Sequence, residues 1–287
     1  MLLDKINNLK IVPENFESSK TTKIDTSIVR SEMDDIERRF VNGLVRYYKP
    51  ENILECGVSS GGGSVVLLNA INDMPDARLV SIDRSENYHK DKSLPVGCDV
   101  EAFFGYIPTE KWTLIAGKDP CQVLLDSLGQ TFDFAVIDTM HAHPCESLNF
   151  LCVLPHLKDG AIVVLHDISV FMLNRINSSG RSLCGNGLAT RILFSVLAGE
   201  KLLPQTKIKY GNKQVHNIGA IQINQDTRRY ISNVFHSLSV PWEYFPSESD
   251  IKDIRSYLSN YYEKSLMEQF DDAMRWNKLW VLDRSKA

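Results

Sequence analysis

Two groups of residues have types and spacings that could do chemistry. The first is Glu55-Cys56-Gly57-Val58-Ser59-Ser60-Gly61-Gly62-Gly63-Ser64. Glycines at 57, 61 and 63 let the backbone turn sharply and approach a ligand with no Cβ in the way. A helix opening near Ser64 aims unsatisfied N–H groups at whatever sits above the turn. Asp83, 20 residues after Gly63, ends a strand-like run, where a carboxylate can accept hydrogen bonds from both hydroxyls of a ribose. The E-x-G-x-x-x-G-x-G pattern is wider by one residue than the dinucleotide fingerprint G-x-G-x-x-G, which disfavours a nicotinamide-dependent (NAD(P)) oxidoreductase. The second group is Asp138, then His141 and His143, then the pair His166-Asp167. Two carboxylates and an imidazole with open positions can hold a divalent cation. A histidine among them can instead serve as a general base, or the acids can simply orient loops.

These residues need elements to position them. Apolar residues recur at helical spacing from Asp25 to Tyr48, and Lys49-Pro50 stops that helix. A strand at Ile53–Cys56 then opens an alternating series. Helices are expected at 64–74, 119–128 and 146–157, and strands at 78–83, 112–116, 132–138 and 161–165. Strands separated by helices imply crossover connections and a parallel sheet covered on both faces. The continuous apolar runs Phe134-Ala135-Val136-Ile137 and Ile162-Val163-Val164-Leu165 are those of doubly buried strands. Ligands of such sheets bind beyond the carboxyl ends of the strands, so Asp138, His166 and Asp167 should gather beside the glycine turn. After Asp167 a Gly/Ser/Asn-rich loop (178–187) is followed by a helix at 190–198, a strand at 216–223, a helix at 228–238 and an aromatic helical tail at 249–280. The expected division is an N-terminal arm or lid (1–27), one α/β domain (28–225), and a C-terminal helical extension packed on it (226–287).

Composition narrows the class. The chain has 287 residues, and 32 Lys+Arg against 36 Asp+Glu give a net charge of −4 with no like-charged block. This argues against a nucleic-acid protein with a broad basic face. The six cysteines, at 56, 98, 121, 145, 152 and 184, have no C-x-x-C spacing, so a reducing, cytoplasmic setting is expected. No window is apolar for long enough to span a membrane.

Glu55-x-Gly57-x-x-x-Gly61-x-Gly63, followed by Val80-Ser81-Ile82-Asp83, resembles motif I and the acidic motif of class I S-adenosylmethionine-dependent methyltransferases. Val136-Ile137-Asp138-x-x-His141, Leu154-Pro155-His156-Leu157 and Val164-Leu165-His166-Asp167-Ile168 resemble more specifically the small-molecule O-methyltransferases of the cephalosporin-hydroxylase-like and macrocin-type group. The resemblance departs at Thr139, His143-Pro144 and Asp159-Gly160-Ala161. It implies a Rossmann-like, doubly wound α/β fold with a mostly parallel seven-stranded sheet, and transfer of a methyl group from S-adenosyl-L-methionine to a hydroxyl of a small molecule or sugar. On this reading Glu55, Gly57, Gly61, Gly63, Asp83 and Asp119 hold the donor. Asp119, before Pro120, reads equally as a helix N-cap. Asp138, His166 and Asp167 become ligands of a divalent cation, Mg2+ or Mn2+, and His141, His166 and Asp138 the catalytic set. Arg175 and Arg181 belong to a substrate lid or a plain connection, and the aromatic tail to core and homo-oligomer packing. A binding subunit that keeps the fold without catalysis is the remaining alternative.

Overall fold

The computed structural model describes residues 8–12, 29–126, 130–172 and 187–284. The order is β1 (Leu9–Val12), α1 (Asp35–Tyr48), β2 (Asn52–Cys56), α2 (Gly62–Ala70), β3 (Arg78–Asp83), α3 (Cys98–Phe104), β4 (Trp112–Ala116), α4 (Pro120–Asp126), β5 (Phe132–Ile137), α5 (Cys145–Val153) and β6 (Leu157–His166). Then come α6 (Ala189–Val196), β7 (Glu200–Pro204), β8 (Ile208–Tyr210), β9 (Lys213–Val215), β10 (Ile218–Gln222), α7 (Gln225–Arg229), α8 (Ser232–Ser237), α9 (Glu248–Leu258) and α10 (Lys264–Arg284).

The apolar runs β5 and β6 lie at the centre of the sheet, whose strand order is β1-β7-β10-β6-β5-β2-β3-β4. All neighbours are parallel except β10, which is antiparallel to both β6 and β7. Side chains alternate between the two faces. On one face Leu54, Ala135, Ile137, Val163 and Leu165 share a cluster with Phe150 of α5, Leu193 of α6, and Tyr257 and Phe270 of α9 and α10. On the other, Ile53, Phe134, Val136, Ile162 and Val164 pack with Phe40 and Leu44 of α1 and Val65 and Leu67 of α2. The C-terminal helices are tied down by hydroxyls as well: Tyr257 donates to the Cys152 carbonyl and Tyr262 to that of Leu151, each at 2.7 Å. No helix among the described residues is long and apolar enough to cross a membrane.

The sheet has eight strands rather than seven. The additional one is β1, which pairs in parallel with β7 from Leu9↔Lys201 to Val12↔Pro204. Four residues on a sheet edge, one of them Lys10 paired with Glu200 at 2.5 Å, carry too little alternation to be read as a strand. Helix α1 begins at Asp35, not Asp25, because Asp34 closes a capping box: its side chain accepts from the Glu37 N–H, and the Glu37 side chain accepts from the Asp34 N–H. The rest of the expected arm (1–7, 13–27) lies outside the described residues, as do Arg175, Arg181 and all of the expected loop at 178–187 but Gly187.

Candidate active site

At the end of β2 the chain turns on Gly57, which has φ +91° and donates its N–H to the Ile82 carbonyl of β3 at 2.9 Å. A Cβ at this position would stand 1.8 Å from the carbonyl oxygen of Asp138. Only glycine allows that approach. Gly61, at φ +102°, is the N-cap of α2. A Cβ on Gly63 would meet Glu55 Oε1 at 2.6 Å.

Two acids brace the turn. Glu55 is buried beneath it, and its Oε2 accepts from Ser64 Oγ of α2 and Ser81 Oγ of β3, both at 2.6 Å. Burial pushes this carboxyl up to about 7, against the pull of the two serine hydrogen bonds. Asp83 lies at the strand end: Oδ2 accepts from the N–H groups of Val58 (2.9 Å) and Ser59 (3.0 Å), and Oδ1 from that of Ser85 (2.8 Å). Asp119 sits at the head of α4, its N–H donating to Gln122 Oε1 at 3.1 Å and its carboxylate 3.8 Å from Arg84. Burial raises the Asp119 carboxyl, with Arg84 pulling the other way.

Sequence reasoning missed what covers the turn. The charged stretch after β3 folds back, so that the Gly97 N–H donates to the Ser59 carbonyl (3.0 Å) and the Asp99 N–H to that of Ser60 (2.8 Å). Asp99 is fully buried and accepts from the backbone N–H (2.7 Å) and Nε (3.0 Å) of Arg30. Asp99 opens a short helix behind Gly97, but nothing local says which partner it meets.

The second group assembles at the ends of β5 and β6. The Asp138 N–H continues the ladder to the Cys56 carbonyl at 2.9 Å, placing its side chain next to the turn. His166, the last residue of β6, is buried between two acids: Nδ1 lies 3.2 Å from Asp138 Oδ2, and Nε2 lies 3.3 Å from Glu37 Oε2 of α1. His141 stands in front, partly exposed, with Nε2 3.4 Å from Asp138 Oδ1 and 3.1 Å from Asp167 Oδ2. Both His141 and Asp167 have left-handed backbones, at φ +59° and +61°. Each is pinned by a partner that offsets the strain. Buried Glu146 accepts the His141 N–H at 2.6 Å, and Asn217 Nδ2 donates to Asp167 Oδ1 at 2.6 Å. His143 does not join them: it is buried, its N–H donates to Glu243 Oε2 at 2.7 Å, and burial lowers its imidazole to about 4.

The electrostatics follow from four carboxyl groups around two imidazoles. Burial alone would lower His166, but Asp138, Asp167 and Glu37 outweigh it and hold the ring well above its ordinary value. His141 is likewise lowered by burial and raised more by Glu146, Asp167 and Asp138, to about 9. Burial would raise Asp138, yet His166 and His141 keep it below the usual carboxylate range. Both ring nitrogens of His166, Nδ1 of His141, Glu37 Oε1 and Glu146 Oε2 are buried without an aligned hydrogen bond. Ligand atoms of Asp138, His141 and Asp167 all lie within 4.8 Å of one another, so the group that can close on a cation contains His141, with His166 behind it. Two carboxylates and one imidazole suit a divalent ion.

Residues 54–168 match the model of a family described as a methyltransferase domain. The matched stretch covers less than half of the chain. It runs from within β2 to just past β6, and takes in the whole turn together with Asp138, His141, Glu146, His166 and Asp167. Glu37 and Asn217 reach the site from outside it. The fold is that of methyltransferases: the O-methyltransferase TomG of Streptomyces achromogenes, involved in tomaymycin synthesis and solved with SAM, superposes with a TM-score of 0.51 at 16% identity, over 73% of this chain and 94% of that one. An O-methyltransferase from Bacillus cereus solved with SAH has a TM-score of 0.48 at 16% identity, over 69% and 85%. The methyltransferase PaMTH1 of Podospora anserina, bound to SAH, has 0.47 at 18%, over 76% and 91%. No curated protein matches the sequence.

Proposed function

We propose that the chain transfers a methyl group from S-adenosylmethionine to a hydroxyl oxygen of a small molecule or sugar, with a divalent cation, Mg2+ or Mn2+, at the acceptor. The observation that carries this reading is the contact between the two groups: the missing Cβ of Gly57 leaves room for the Asp138 carbonyl, so a donor held over the turn and an acceptor held at Asp138 are neighbours. TomG, whose fold the chain shares, was solved with SAM, which supports the same donor.

Methyl transfer from a sulfonium needs alignment and the removal of one proton. Gly57, Gly61 and Gly63 open the turn to the donor, and Glu55 and Asp83 hold its shape from beneath and beside. The excess of carboxylates at the neighbouring strand ends favours a cationic donor. Asp138, His141 and Asp167 would hold the cation, which would lower the acceptor hydroxyl's pKa and orient it. Without a cation, His141 is the imidazole with access to an acceptor; raised to about 9 by Glu146, Asp167 and Asp138, it takes a proton only in its neutral fraction, which grows as pH rises towards 9, and buried His166 fixes Asp138. The unit is read as residues 28–225, with 226–287 packed on it. Five cysteines among the described residues are free, which fits a cytoplasmic setting.

The test is calorimetry with S-adenosylhomocysteine, repeated with magnesium and manganese, followed by methylation of a hydroxyl panel before and after chelation. Binding of the homocysteine product, and methylation that chelation abolishes, are expected. A folded sample that ignores it, or that takes up nicotinamide dinucleotide instead, would overturn the donor. Activity indifferent to chelation would remove the cation and leave His141 as base.

A further inference from the structure

At the β1–β7 side of the sheet a cavity of about 450 Å³ is lined by α6, β7 and the β8–β9 hairpin. That is the size of a small-molecule site. Ile168, Phe194 and Leu203 give it apolar walls, and its charged lining consists of Arg191, Lys201 and Lys207, with no carboxylate among the described residues. Arg191 and Lys207 are exposed, whereas Lys201 is only 4% exposed. Its Nζ sits 5.1 Å from the centroid of the Phe194 ring and donates to the Ser195 carbonyl at 3.2 Å. An ammonium has three N–H donors, so one carbonyl and one ring face leave this buried charge short of partners among the described residues. Burial, with Arg191 beside it, lowers Lys201 to about 8. The acid next to it in sequence, Glu200, is paired with Lys10. Buried charges persist where something compensates them.

We propose that this cavity binds an anionic oxygen group, a phosphate or sulfate ester or a carboxylate, with Lys201 at its floor and Arg191 and Lys207 at its mouth. The group can belong to the methyl acceptor or to a separate ligand. Ser169, in the cavity wall, donates its N–H to Asn217 Oδ1 at 3.1 Å, and Asn217 Nδ2 donates to Asp167. One asparagine therefore separates this cavity from the cluster, so a single acceptor could put its acid in one and its hydroxyl at the other. Only that last step rests on the methyl-transfer reading.

The experiment is titration of inorganic phosphate and sulfate into the full chain, followed by thermal unfolding at constant ionic strength. A saturable rise in Tm is expected for the wild type, with affinity weakened at least about tenfold in Lys201→Met and in Arg191→Ala. Lys201→Met removes a buried charge while keeping the volume, so in chloride it should be no less stable than the wild type. If it does not fold, the exposed pair Arg191→Ala/Lys207→Ala decides. No response beyond that to chloride, or an equal response in the variants, overturns the site. Acceptor pairs that differ only by a phosphate or carboxylate then separate the sources. A KM raised in Lys207→Ala for the acidic member alone, with kcat little changed, assigns the group to the acceptor; altered turnover of neutral acceptors by added phosphate assigns it to a separate ligand. An intact phosphate response with no methyl transfer to any acceptor would sink the function proposed above and leave this site standing.

Discussion

The glycine turn and the acid–imidazole cluster stand at the ends of adjacent strands, β2 and β5, but they are held in opposite ways. In the turn, Asp83 and Glu55 have both found hydrogen-bond partners, most of them backbone amides or serines of the same β2–α2–β3 unit. In the cluster, side chains from α1, the β5–α5 loop, α5 and the end of β6 meet with several buried polar atoms unaligned. A satisfied site is rigid and can only cradle, whereas under-satisfied groups have bonding capacity left for something else. The difference points to the turn as the place for a donor and to the cluster as the place for a cation or a moving proton.

The comparison can be broken most severely at the turn. Gly57→Ala introduces an unfavourable φ and an overlap with the Asp138 carbonyl, and should cost more than about 4 kcal/mol in urea unfolding, taking homocysteine-product binding with it. Tolerance of alanine would mean that the close approach is not required. Asp138→Asn should divide the two regions: methyl transfer is expected to fall by about 10²–10⁴, while affinity for the homocysteine product stays within about threefold. Equal loss of both would merge the regions into one.

Glu55 tests the turn through pH. Its carboxyl titrates at 4.5 in the reference state and about 7 in the fold, so the folded chain holds that proton more tightly. Its contribution to stability is complete below pH 4.5 and is lost as pH rises through 7, by about 3 kcal/mol. Glu55→Gln should abolish that slope, making the variant the more stable protein above pH 7 and no better below 4.5; parallel pH–stability curves would refute the assignment. Glu37→Gln sharpens the cluster, because glutamine at this position keeps the capping box but loses the charge facing His166. About a tenfold drop in turnover with helix α1 intact by circular dichroism is expected. The smallest effect belongs to Asp119→Ala, whose pairing with a half-exposed Arg84 is worth about 0–1 kcal/mol. A fall in donor affinity beyond about tenfold would instead make Asp119 a direct contact.

How far the molecule can be read in advance differs between these same regions. Phe134–Ile137 and Ile162–Leu165 announce central strands, since burial on both faces demands unbroken apolar runs. The spacing of Gly57, Gly61 and Gly63 announces a turn, and the strand-end position of Asp83 announces a carboxylate beside it. The edge strand β1 does not announce itself, because four residues of which three are exposed and none is buried contain almost no period. Nor does the cover over the turn, where Asp99 meets Arg30 across 69 residues of chain.

The histidines make the same point within one cluster. His166 ends a strand, so its place at the mouth of the sheet follows from residue order, and the resemblance makes it a cation ligand. The fold puts it behind Asp138, against Glu37, and brings His141 to the front on a left-handed residue held by Glu146. What the sequence by itself determined is whatever depends on neighbours a few positions away: strand cores, the glycine turn, and the stop of α1 before Pro50. The tertiary structure alone decided which histidine faces outward, that Glu37 and Asn217 join the site, and that a buried lysine lines a cavity with no acid among its described residues. These depend on residues far apart in the chain, whose meeting is dictated by helix and sheet packing rather than by local conformational preference.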